Sequence, residues 1–329
     1  MRPLWPYIAA IAAAMALSIL ASLSIGPYSR VGLLQVLSIL RLRKVPETDF
    51  YIILYRLTRT VAAVALGSAL AASGITLQYT LRNPLVDPYL AGVASGALLG
   101  VIAMIYTGHA AFLELYAAAI AGGLVTLVAV TLVSLMVGGG PSTFLITGVS
   151  ASYILSGISM FMMIQLGPKI TGTLYWLFGS VAFVTYPVLI RSVVPIVASI
   201  AGMLVMAKYI NTFMLGDDVA RSLGVKINAV RGAAFVLASL ATAATVAMAG
   251  PVGFVGLVSP WLARRVVGSN FFRALALSAI IGSELTLVSD IIARIVIYPS
   301  EAPLTAVTSV FGAPLLVYIL LKSRRGEAW

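Results

Sequence analysis

LYAAAIAGGLVTLVAVTLVSLM, residues 115–136, is a run of 22 residues without one charged side chain. As a helix it rises about 33 Å, close to the hydrocarbon thickness of a bilayer. In a soluble protein such a run belongs only at the centre of a large core, and the rest of the sequence excludes that setting. Of the 329 residues 61% are hydrophobic and 9% are charged, against roughly 25% charged in soluble domains. A water-facing surface of ordinary size cannot be covered, so a soluble enzyme and a disordered chain are both excluded. With no cysteine, a disulfide scaffold, an Fe–S cluster and a zinc–thiolate site are excluded as well.

Outward from that run, nine more apolar segments read as spans: Tyr7–Leu23, Leu57–Tyr79, Tyr89–Tyr106, Phe144–Gln165, Pro187–Ala207, Ala229–Ala249, Phe254–Val267, Leu275–Ile297 and Leu304–Leu321. The expected fold is all-α, a polytopic bundle of ten transmembrane helices forming one domain over 1–329. Ala21-Ser22-Leu23-Ser24 has features of a signal-peptide cleavage site. The first run is nearly span length and nine more follow, so it is read as a span. Leu33–Leu40 reads as a surface helix. Thr173–Val184, between Pro168 and Pro187, is too short to cross and reads as re-entrant. Gly250-Pro251-Val252-Gly253 opens the short segment Phe254–Val267 with helix breakers. Broken backbone at membrane depth must be buried in protein or line a cavity, which makes this segment a candidate pathway lining. Small residues at Gly67, Ala71, Gly74 and at Gly92, Gly96, Gly100 let helices approach closely.

The net charge is +11, from 21 Lys+Arg against 10 Asp+Glu. In a membrane protein this reads as the bias of cytoplasmic loops toward cations, not as a nucleic-acid surface. With ten spans and both termini in the cytoplasm, 12 cations fall inside and 9 outside or at the outer boundary. Nine outer cations are more than the bias alone explains.

Five segments carry a family resemblance. They are Arg56-Leu57-Thr58-Arg59 through Ser73-Gly74-Ile75-Thr76-Leu77-Gln78 to Arg82-Asn83-Pro84-Leu85-Val86-Asp87-Pro88; Trp176-Leu177-Phe178-Gly179-Ser180; Leu215 to Gly224; Gly253-Phe254-Val255-Gly256-Leu257-Val258-Ser259-Pro260; and Asp290 to Arg294 with Glu301-Ala302-Pro303 and Gly312-Ala313-Pro314. In this order, over about residues 55–320, the chain resembles the FecCD-type permeases, membrane subunits of ABC importers for iron–siderophores, haem and vitamin B12. The resemblance implies a type II importer bundle in the cell membrane. It also implies a second permease subunit, read here as a homodimer with the pathway at its interface. Trp261 stands where members often carry His, and Leu304-Thr305 where Gly is usual.

The residues themselves divide the work between chains. No G-x-x-x-x-G-K-[ST] loop is present, so nothing here cradles ATP phosphates. No cofactor, metal site or catalytic residue is expected in this chain, and ATP with Mg belongs on a partner ATPase. Its candidate contact is Leu215, Gly216, Asp217, Asp218, Val219, Ala220, Arg221, Ser222, Leu223 and Gly224. Asp217 or Asp218 can cap a short helix, Gly224 suits its C-terminal turn, and Val219, Ala220 and Leu223 share roughly one face. A loop helix packed on its own protein fits the same residues.

Arg56 and Arg59 lie three apart on one helix face, and Arg294 lies at the outer end of the ninth span. A lone interfacial Arg is commonly a snorkelling anchor. The resemblance implies instead docking to acidic residues of an extracytoplasmic binding protein. Asp290 and Arg294, at i and i+4, can pair.

Glu284 falls mid-span with no cation within four residues. It is hydrogen-bonded in the bundle, faces a pathway, or relays protons. Met160, Met162 and Met163 fill core gaps or line a pathway. Gln78, Asn83, Pro84, Met160, Trp176, Gly179 and Glu284 are the pathway candidates. His109 is the only histidine, too little for a metal or haem site. An ion-coupled secondary transporter would want more intramembrane acids, and an intramembrane enzyme would want a catalytic set. The resemblance implies a metal-chelate cargo, a ferric siderophore before cobalamin or haem, with an oxyanion such as molybdate as an alternative.

Overall fold

In the computed structural model, residues 5–26, 32, 35, 36, 38, 46–109, 111–138, 140–167, 178–297 and 300–323 are described. Among them the chain forms twelve α-helices: α1 Trp5–Ser24, α2 Glu47–Leu81, α3 Val93–Tyr106, α4 Phe112–Met136, α5 Pro141–Leu166, α6 Tyr186–Val205, α7 Ala207–Thr212, α8 Asp217–Ser222, α9 Ile227–Ala249, α10 Val255–Val267, α11 Phe271–Ile295 and α12 Leu304–Ser323. Short 3-10 turns precede α3 (Pro88–Ala91) and α8 (Phe213–Leu215). Each of the ten expected spans corresponds to one helix. Six of them, in α2, α4, α5, α6, α9 and α11, are long and apolar enough to cross a membrane.

Helix α2 begins ten residues before the expected Leu57, at Glu47. Glu47 and Asp49 sit in its first turn, where negative charge favours a helix N-terminus. The helix is the axis of the bundle and is buried along most of its length. It packs hardest on α11, where glycines remove the side chains that would hold the backbones apart. A Cβ at Gly67 would lie 2.1 Å from the Gly282 carbonyl oxygen. Gly74 meets Gly256 of α10 in the same way, at 1.9 Å. Gly96 and Gly100 face Gly122 and Ala118 of α4. The expected small-residue faces are therefore the contact faces, with Gly92 set apart as a left-handed cap at φ 77°.

Two of the helices that match expected spans are short for a common reason. Helices α3 and α10 follow breaks that lie inside the bundle. Gly256, at the start of α10, touches Gly74, which is seven residues or about 10 Å from the end of α2. The expected surface helix Leu33–Leu40 lies mostly outside the described residues. Of the re-entrant helix expected at Thr173–Val184, residues 173–177 lie outside them and 178–184 form turns without helix. The physical reason is Gly179 at φ 76°, a left-handed backbone that interrupts a helix.

Candidate functional site

Three broken segments meet beside α12. The Ser180 N–H donates to the Ala249 carbonyl at 2.8 Å and the Leu304 N–H to the Gly179 carbonyl at 2.9 Å. The Thr305 hydroxyl donates to the Pro251 carbonyl, and the Val252 N–H donates to the Tyr89 phenol oxygen at 2.7 Å. Backbone freed from helices is thus paired, as burial away from water requires. Together with the turn after α2 these segments line an open cavity of about 740 Å³. Leu85, Phe178, Pro251, Phe254, Leu257, Pro303, Ala306 and Leu316 make its wall apolar, with Asp87, Tyr89, Thr305 and Ser309 as polar members. Phe254 holds φ 69°, a left-handed conformation rare for an aromatic residue, and packs against Gly312 of α12.

The segment opened by Gly250–Gly253 lines this cavity, where the sequence places a lining. The seven individual pathway candidates lie around it or away from it. Asn83 and Pro84 build the turn that carries Leu85 and Asp87 into the wall, with the Leu85 N–H on the Asn83 side chain at 2.9 Å. Gly179 is adjacent to Phe178. Gln78 is a buried staple: it donates to the Val86 and Gly256 carbonyls and accepts from Arg264 at 2.6 Å. Met160 points outward from α5, 63% exposed. Trp176 lies outside the described residues. Glu284 sits at a separate cavity of about 300 Å³ with Ile11, Ala14, Leu262, Ile281, Leu285 and Val288. Its Oε1 accepts from the Ser18 hydroxyl of α1 at 2.5 Å, and its Oε2 is buried without a hydrogen-bond partner.

Among the cavity residues that sequence reasoning did not single out are Phe178, Asp87 and Tyr89. Asp87 lies in the turn between α2 and the 3-10 helix and caps that helix by accepting from the Tyr89 N–H at 2.8 Å. Burial pushes its carboxyl up to about 6, with the cap bond pulling the other way. A raised carboxyl pKa means that the folded protein holds this proton over a range where the unfolded chain has lost it. Stability therefore falls as pH rises from about 4 to about 6. Asp87→Asn keeps the acceptor for Tyr89 and removes the titration. In detergent it is expected to melt with wild type at pH 4 and to be more stable by about 1–3 kcal/mol at pH 7.5. Parallel melting curves at the two pH values would contradict this.

At the other end of the turn lies α8. Its N-cap is Gly216, at φ 101°, and no side chain caps it. This corrects the expected cap by Asp217 or Asp218. Asp217 is drawn instead to two guanidiniums: Arg231 of α9 at 3.1 Å to both oxygens, and Arg82 at 3.4 Å. Asp218 is exposed and near Arg221, while Ser222 bonds back to Val219. Ala220 is completely buried, so it does not share the outward face with Val219 and Leu223. Leu215, in the 3-10 turn before Gly216, is exposed as well. The three are 61%, 45% and 61% exposed at a spacing of four. Gly224 takes φ 79° just past the helix, as its C-terminal turn demands.

The three arginines read as a docking surface are at the opposite end, and they are not a surface. Arg56, Arg59 and Arg294 are 3%, 2% and 2% exposed. Arg56 donates to the Leu23 and Ser24 carbonyls. Arg294 donates to the Ser22 and Ile25 carbonyls at 2.7 and 3.0 Å. The end of α1 leaves these carbonyls without helical partners, and cations are favoured there. Arg59 bonds Asp290 at 2.7 Å and Glu301 at 2.8 Å, and Asp290 also pairs with Arg294 on its own helix. Direct contact of these side chains with another protein is therefore replaced by an internal clamp.

Comparison with known proteins agrees with this architecture. The family model described as the FecCD transport family matches residues 14–322. The chain is 33% identical over 278 residues to the cobalamin import system permease protein BtuC of Halobacterium salinarum, covering 84% of this chain and 75% of that one. It is 31% identical to the Fe(3+) dicitrate transport system permease protein FecC of Escherichia coli, covering 82% of both. A solved structure described as an inward-facing metal-chelate type ABC transporter superposes with a TM-score of 0.84 at 28% identity, covering 97% of this chain and 100% of that one. With a multi-pass helical bundle, a matching family model over nearly its whole length and relatives of this kind, the chain belongs to the FecCD transport family of ABC importer permeases, membrane subunits that are not themselves enzymes.

Proposed function

We propose that this chain forms a homodimeric permease in the cell membrane that moves a metal chelate inward by alternating access. A separate ATPase drives it, and an extracytoplasmic binding protein delivers the cargo. The observation that carries this reading is the set of exposed apolar side chains on and flanking a six-residue helix, Val219 within it, Leu223 at its C-cap and Leu215 in the 3-10 turn before it, while Ala220 packs inward. A helix that short is unstable alone, and exposed leucines flanking it ask for a partner groove.

The α8 end carries Arg82, Lys208, Arg221, Lys226, Arg231, Arg264, Arg265 and Arg273, which supports placing it and both termini in the cytoplasm. The cavity's mostly apolar wall supports a bulky chelate with an apolar exterior: a ferric siderophore first, then cobalamin or haem. An oxyanion such as molybdate would want a cradle of cations or N–H donors, and no Lys or Arg is among the described lining residues. A secondary transporter would need no such apolar set. Proteoliposomes containing the permease, its genomically adjacent ATPase and binding protein test this. ATP hydrolysis should rise with chelate-loaded binding protein, and uptake should stop without ATP. Uptake driven by an ion gradient alone would overturn the assignment.

A further inference from the structure

We propose that the Asp217–Arg82 ion pair is the transmission contact through which motion of α8 reaches the turn Asn83–Asp87 and so the cavity wall. The proposal rests on α8 being the ATPase contact.

The route is short and continuous. The Asp217 carboxylate forms an ion pair with the Arg82 guanidinium at 3.4 Å. Arg82 is the C-cap of α2 and holds φ 48°, a conformation that non-glycine residues rarely adopt. Its neighbour Asn83 donates its N–H to the Gln78 carbonyl and accepts the Leu85 N–H on its side chain. Leu85 and Asp87 line the cavity. Asp87 in turn caps the 3-10 helix, whose Tyr89 holds Val252 of the broken segment. Displacing Arg82 therefore moves the wall and not a distant surface.

Two further features suit a moving part. Helix α8 lies between Gly216 at φ 101° and Gly224 at φ 79°, so a rigid helix is flanked by permissive backbone. Gly216 also faces Arg82, whose guanidinium would lie 3.7 Å from a Cβ placed there. The pair itself is half-exposed, with side chains 39% and 25% accessible. Ion pairs this wet contribute little to stability, so a stabilising role does not explain a carboxylate turned inward from α8 onto the cap of another helix. Asp217 has a second partner, Arg231 on α9. That defines the competing route.

The test uses the complete transporter in proteoliposomes. The chain has no cysteine, so Leu85→Cys gives one thiol per permease subunit at the cavity wall. In that background ATP should change the rate of maleimide modification. Arg82→Gln should shrink this response to within about twofold and lower uptake per ATP hydrolysed about tenfold, the scale expected for one coupling contact. ATPase co-purification and hydrolysis should stay at their starting values, and Arg82→Lys should recover most of the response. Elution as a monodisperse peak checks folding. Arg231→Gln should leave the ATP response in place.

A full response in Arg82→Gln overturns the proposal. So does loss of the response in Arg231→Gln alone, because the route then runs through α9. So does a Leu85→Cys background that never responds to ATP. Failure of the underlying reading shows separately, as unchanged ATPase association in a Leu223→Asp variant.

Discussion

Asp290→Ala is expected to cost about 3–5 kcal/mol and to leave little folded protein to purify. The carboxylate is 1% exposed and is shared by two guanidiniums. Arg59 reaches it through Nε and Nη2, and Arg294 through Nε and Nη2 from one turn below. Truncation leaves two buried cations, of which only Arg59 keeps an acid, Glu301. The damage spreads to α1, because Arg294 held by Asp290 also serves the Ser22 and Ile25 carbonyls. Glu301 is a useful contrast. Its side chain is 24% exposed, Gln keeps an acceptor for Arg59, and Asp290 still neutralises that guanidinium, so Glu301→Gln should cost less than Asp290→Ala. Thermal denaturation in detergent, read by size-exclusion chromatography, measures both. Equal melting of Asp290→Ala and wild type would show that the clamp does not hold the fold.

This clamp also marks where sequence reasoning stopped. Each apolar run coincides with a helix, six of them long and apolar enough to cross a membrane, because run length is a local property of the chain. The helix breakers at Gly250–Gly253 located a cavity wall for the same reason. Depth is not local. Arg56, Arg59 and Arg294 look like surplus outer cations on the chain, and the partner that buries Arg59 is 231 residues away. Asp290–Arg294 was legible as a pair because its spacing is four. Asp217 shows the same limit on a smaller scale. Its position in front of a short helix reads as a cap, and only the fold brings Arg82 and Arg231 close enough to take the carboxylate instead. Phe178 and Asp87 fall inside quoted motifs, but nothing local marks them as a wall, since the residues that make them one come from distant breaks.

Leu223→Asp is expected to abolish uptake while the permease remains folded and inserted. Leu223 is the C-cap of α8 and is 61% exposed, so most of its side chain faces away from the protein. The helix is held from its other side by Ala220, which is completely buried beside Val225 and Ile227 in the core. A leucine buried in a partner groove is worth about 2 kcal/mol, and a carboxylate placed there adds its own desolvation cost. The sum corresponds to at least about a hundredfold loss of affinity for the ATPase. One complication is that a negative charge at a helix C-terminus disfavours the helix by about 0.3–1 kcal/mol. Leu223→Lys removes that objection, because a cation is favoured at the same position. Both variants should lose the ATPase on co-purification and lose uptake in proteoliposomes. Recovery by lysine alone would mean that helix stability, not the apolar contact, was at stake, and wild-type association in both would remove α8 from the ATPase interface.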